Sequence, residues 1–230
     1  MSAPSLFPLE ARFLGDAPDW PADRAAAARA LLPQGAALRL LPEPWAGGRR
    51  AVATLSLPAG LVLDTAAPGM SEVEALFTAL AGALGAVQAG LYHPLHRQAV
   101  MLPAANRLAA SQGIVPPPGA SLPGPPPGLP PEADALAMPV SPFALDLARL
   151  PEAVWWLNLW TAPLLAALPA GAVAAAPWHR QAPLAAGVLL VAAAAPPGPR
   201  YPEGFTALRA VTDALGLHAL QRAAAGDPAS

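Results

Sequence analysis

Residues 9–14 alternate loosely between apolar and polar positions, and a period of two predicts a strand. Residues 36–41 predict a second short strand. Between them, Asp19-Trp20-Pro21 opens a helix over residues 22–32, with Pro21 suited to the first helical position and Pro33 ending it. Over residues 50–57, Ala51, Ala53, Leu55 and Leu57 alternate with Val52, Thr54 and Ser56. The turn Pro58-Ala59-Gly60 and the run Leu61-Val62-Leu63 then complete a predicted hairpin.

The clearest local signal follows. Ser71 and Glu74 have the spacing of a capping box, in which hydroxyl and carboxylate each satisfy a free backbone amide. Val73, Leu76, Phe77, Leu80 and Leu84 then share one helical face, so a helix is predicted over residues 72–84 with Gly85 as its stop. Residues 86–92 predict a strand, and residues 104–111 a short helix.

Residues 113–131 differ in kind. Nine of the nineteen are Pro and four are Gly, which suits neither a sheet interior nor a helix. This stretch reads as a flexible loop or linker. The expected organisation is an N-terminal α+β half over 1–112, a Pro/Gly-rich connection over 113–132 and a C-terminal α+β half over 133–230 packed with the first. In that second half residues 143–150 suggest one or two helical turns. Residues 153–160 read as a buried strand, with a helix opening at Pro151 as the alternative. Residues 171–178 and 186–194 suggest further strands. Pro202 opens a final helix with Phe205, Leu208, Val211 and Leu215 on its apolar face, interrupted at Gly216.

Phe77-Thr78-Ala79-Leu80 recurs as Phe205-Thr206-Ala207-Leu208, and both helices run on to Ala-Leu-Gly. A second identity, His96-Arg97-Gln98-Ala99 with His179-Arg180-Gln181-Ala182, has a different offset, so one simple duplication does not give both. The shared order of strands, helix and strand predicts an α+β fold with a mostly antiparallel sheet and helices on one face. Two similar strand–strand–helix–strand halves are an open alternative within it.

Composition changes the picture in two ways. Hydrophobic residues make up 54% of the chain and charged residues 12%. All 13 basic residues are Arg, as a GC-rich bacterial genome would produce. The uncharged window between Glu152 and Arg180 is long enough to span a bilayer. Pro163, Pro169 and Pro177 interrupt it and would free carbonyls that lipid cannot satisfy, so a buried segment is the better expectation. The first sixteen residues lack the basic start and apolar run of a secretory signal, which leads to a cytoplasmic expectation.

Candidate chemistry is sparse. The chain has no Cys and no Lys, which excludes thiol chemistry, Schiff-base formation and a P-loop lysine. A net charge of −2 argues against a basic nucleic-acid binder. His93 and His96 stand three apart, but Pro94 lies between them and no third ligand is near, so neither metal nor cofactor is expected. With Asp64 they remain weak polar-site candidates. Trp155, Trp156 and Trp160 are the most unusual cluster. If they lie on a strand, Trp155 and Trp156 face opposite sides. Then either both faces of the sheet are covered or one Trp marks an interface.

The expected function is a non-enzymatic protein-binding or accessory role, with a protein partner or a homo-oligomer. One alternative is an enzyme built from scattered His and carboxylate residues. A second is a membrane-associated protein using residues 153–199.

Overall fold

The computed structural model describes residues 9–45, 48–57, 69–113, 129–194 and 202–226. Seven strands form one sheet in the order β2-β3-β1-β4-β5-β7-β6, and every neighbouring pair is antiparallel. They are β1 (Leu9–Leu14), β2 (Ala37–Trp45), β3 (Gly48–Leu57), β4 (Gln88–Tyr92), β5 (Leu157–Thr161), β6 (Arg180–Leu184) and β7 (Gly187–Val191). The helices are α1 (Ala22–Ala30), α2 (Gly69–Leu84), α3 (Pro94–Ser111), α4 (Ala162–Ala166), α5 (Ala172–Ala175), α6 (Pro202–Ala214) and α7 (Leu217–Ala224). The fold is α+β, with an antiparallel sheet and helices packed against it.

The period of two along each strand sends alternate side chains to two separate cores. Leu9, Ala11 and Phe13 of β1, Ala89 and Leu91 of β4, and Leu157 and Leu159 of β5 meet Phe77, Leu80 and Leu84 of α2 on one face. Leu14, Tyr92, Trp160 and Leu190 meet α3 and α6 on the other, through Val100, Phe205 and Leu208. Helices therefore cover both faces rather than the single face that the sequence predicts. The physical reason lies in the strands: β4, β5 and β7 carry large apolar residues at both parities, and both sets are buried.

The topology also has an internal symmetry. The strand–helix–strand–strand–helix series β1-α1-β2-β3-α2 returns as β5-α4/α5-β6-β7-α6. Its strands appear in the sheet as β2-β3-β1 on one side of β4 and as β5-β7-β6 on the other. Since β1 and β5 are both antiparallel to β4, the halves are related by a two-fold axis along the strand direction. Such an axis exchanges the faces. Phe77 and Phe205 of the two Phe-Thr-Ala-Leu copies are accordingly buried in opposite cores. The repeat is not the strand–strand–helix–strand unit expected, because α6 leads into α7 where α2 leads into β4.

Several boundaries differ from the sequence pattern. β3 pairs with β2 and β1, and the predicted hairpin partner at 61–63 lies outside the described residues. α2 begins at Gly69, which puts Ser71 inside the helix, and the Glu74 carboxylate pairs with Arg180 of β6. α3 begins ten residues before the predicted start, with Pro94 in its first turn and Pro103 inside it. The predicted strand over residues 171–178 is instead the short helix α5, entered from Gly171 in a left-handed conformation. Residues 114–128 of the Pro-rich stretch lie outside the described residues. Among the described residues no helix is long and apolar enough to cross a membrane. The regular elements within residues 153–194 are strands and short helices, joined by irregular segments.

Candidate functional site

Two places on the α3/α6 face carry groups that an apolar sheet does not need. One is a buried polar network; the other is the outer strand β2.

The network begins at Arg12, which β1 turns toward the α3/α6 side between Ala11 and Phe13. Its guanidinium lies 2.7 Å from Glu43 of β2 and 3.3 Å from Glu152. Glu152 is wholly buried and Arg12 nearly so. Burial alone would lower the Arg12 pKa, but the fields of Glu152, Glu43 and Tyr92 outweigh it, and Arg12 is held above its usual value. Burial pushes the Tyr92 phenol well above its ordinary range, against the pull of Arg97 and Arg12.

Side-chain amides stitch the irregular segment between the 3-10 turn Pro142–Ala144 and β5 onto this face. Gln88 of β4 donates through Nε2 to the carbonyls of Leu147 and Leu150 and accepts through Oε1 from the Glu152 amide. Asn158 accepts from the Trp155 amide at 2.8 Å and donates to the Trp155 carbonyl at 2.7 Å. Gln221 of α7 donates to the carbonyls of Pro151 and Glu152. A buried loop carries backbone groups that no ladder satisfies, and these amides satisfy them.

Trp155 and Trp156 lie just before β5, which begins at Leu157 rather than at residue 153 as the sequence pattern predicts, and they are buried in opposite cores, each about 2% exposed. Trp160 is 1% exposed and meets Trp178 edge to face. All three are core side chains, so of the two alternatives left open by the sequence, two covered faces is the one observed, and none of the three lies on an exposed surface of the chain. His93 caps α3, its Nδ1 accepting from the Leu95 amide. His96 is wholly buried, edge-on to Trp155 and Phe205, and burial and the nearby His93 bring its pKa down to about 3. It has no exposed edge at which to meet a substrate. Asp64 lies outside the described residues. Among the described residues no group of His, Asp and Glu is arranged to hold a metal.

Sequence reasoning missed Arg12, Gln88, Glu152, Asn158 and Gln221. A signal existed for three of them. Arg12, Gln88 and Asn158 are polar residues inside otherwise apolar strand runs, where a buried polar group must find a partner.

The outer strand β2 is different. The Gly15 amide donates to the Ala51 carbonyl at 2.9 Å, which sets the phase of the β1–β3 ladder. Odd-numbered residues of β3 thus bond toward β1 and even-numbered ones toward β2. Since Val52 faces Leu41 and Thr54 faces Arg39, the odd residues of β2 bond to β3. Leu38, Leu40, Pro42 and Pro44 therefore turn their backbone groups outward. The two prolines have no N–H to offer there, so edge donors remain only on the Leu38–Leu40 side. On the α3/α6 side the same strand presents Ala37, Arg39 and Leu41, all exposed. Leu41 is 52% exposed and Phe143, on the 3-10 turn packed against β2, is 40% exposed.

Known proteins give no further guide. The chain matches no protein-family model, no curated protein and no solved structure.

Proposed function

We propose that this chain is a non-enzymatic, cytoplasmic accessory protein that binds another protein along β2. The observation that carries this reading is the coincidence, on one strand, of outward amides at Leu38 and Leu40 with the exposed side chains of Arg39 and Leu41. An edge strand with free backbone groups takes an extended segment by strand addition, and the alternate side chains give the specificity. Arg39 forms no ion pair among the described residues. The segment that fits is therefore extended and acidic, with an apolar residue set against Leu41 and Phe143. Pro42 and Pro44 end the added ladder, which gives the site a fixed length.

The test compares three forms of the full chain as bait: wild type, Leu41→Asp with Arg39→Glu, and Leu31→Asp. Leu31 is also a large exposed apolar residue, at the end of α1, and serves as the control. A partner retained by wild type and Leu31→Asp, lost with the β2 variant, and cross-linked through an acidic segment is the expected result. Equal capture by all three forms overturns the reading. So does a complex that contains only further copies of this chain.

A further inference from the structure

A small cavity lies where α6, α7 and the segment leading into β5 meet. Glu152, Thr212, His218 and Gln221 line it, with Val100 and Met138 among its apolar walls. Its volume is about 10 Å³, close to the ~10–15 Å³ that one water molecule needs.

The polar atoms around it are unbalanced. Gln221 uses its amide nitrogen on two carbonyls, but its Oε1 is buried without a hydrogen-bond partner. Both carboxylate oxygens of Glu152 are buried and accept no hydrogen bond, although Arg12 lies 3.3 Å from one of them. Glu152 is wholly buried and Gln221 is 1% exposed. These are acceptors, and a buried acceptor left without a donor destabilises the fold. A molecule that donates twice satisfies two of these three acceptors, and Arg12 lies beside a Glu152 oxygen. The Thr212 hydroxyl, itself buried on α6, is available to donate in return.

We propose that this cavity is a binding site for one structural water, which donates to Gln221 Oε1 and to a Glu152 carboxylate oxygen and accepts from Thr212. A monovalent cation has comparable size, but Arg12 already supplies the charge opposite Glu152, and a second cation would be repelled by it. The water ties α7 and α6 to the crossing segment, completing the hold that Gln221 begins. This inference does not depend on the β2 site.

The test is a crystal structure of the full chain at a resolution that shows solvent, with rubidium chloride in the mother liquor. The expected result is one oxygen-sized peak about 2.6–3.2 Å from Gln221 Oε1 and from Glu152, with no anomalous rubidium signal. Glu152→Gln brings its own N–H to the site and is expected to abolish the peak. An anomalous peak at the site, or no density in the wild-type cavity, overturns the proposal. Should Glu152→Gln not fold, oxygen-17 relaxation dispersion on Thr212→Val against wild type replaces it. Loss of one long-lived water is expected, and an unchanged count overturns the proposal.

Discussion

At Gly90 a β-carbon would lie 1.9 Å from Trp155 Cδ1, closer than any side chain can come. β4 can run between β1 and β5 with Trp155 laid across it only because this residue has no side chain. Gly90→Ala must displace the indole, which also packs at a tilt against Tyr92, 4.6 Å between ring centroids. Overpacking of this kind costs ~1–3 kcal/mol or more, and urea denaturation is expected to show a midpoint lowered accordingly. His96 predicts a pH dependence. Its folded pKa of about 3 lies below the unfolded value of 6.5, so above pH 6.5 the group is neutral in both states and contributes nothing. As pH falls from 6.5 toward 3, the unfolded chain takes up a proton that the folded one refuses, and stability is lost. At pH 5 the loss is about 2 kcal/mol relative to pH 7.5. His96→Leu is expected to remove this slope, as measured by unfolding at the two pH values. Neither effect was legible in the sequence. Gly90 looked like one glycine among 19, and His96 looked like a loop residue because Pro94 precedes it. Pro94 instead stands in the first turn of α3, where its missing N–H has no intrahelical partner to lose.

Individual elements were legible where their periodicity was strong. β1 has the bounds that the alternation predicts, and α2 ends at Leu84, with Gly85 following at φ +64°. They were not legible where Ala dilutes the pattern. Four of the eight residues over 171–178 are Ala, which carries no preference for a buried face, and the segment forms a helical turn rather than a strand. β6 is largely exposed and contains Pro183, so no apolar run marks it. The irregular segment before β5 depends on side chains distant in sequence, Gln88 and Gln221, and no local window contains them. At this scale the Arg12–Glu152 pair can be tested. Arg12→Met leaves Glu152 charged and buried without its partner and is expected to destabilise the fold by ~3–5 kcal/mol. Adding Glu152→Met removes the stranded charge and is expected to recover most of the loss. A double-mutant cycle from denaturation midpoints measures this, and a double variant as weak as Arg12→Met alone would contradict it.

Over the whole molecule the two-fold relation explains why the repeated Phe-Thr-Ala-Leu was both visible and misleading. The identity marks equivalent helices, but the axis along the strands puts them on opposite faces, and a one-dimensional pattern carries no sign for that exchange. The adjacent Trp155 and Trp156 are both buried, one in each core, although they lie in the irregular segment before β5 and not on the strand. Burying both removes them as a docking surface and shifts attention to the sheet's end. There β2 keeps a short row of outward amides, bounded by prolines that discourage unlimited strand pairing. The reading of this chain as a protein-binding module rests on that row. Amide hydrogen exchange at Leu38 and Leu40, with and without the protein captured by wild type, tests it most directly. Both amides are expected to exchange rapidly in the free chain and to slow at least tenfold in the complex, while those of Leu31 and Leu32 stay unchanged. Unaltered exchange at Leu38 and Leu40 in a saturated complex would contradict binding along β2.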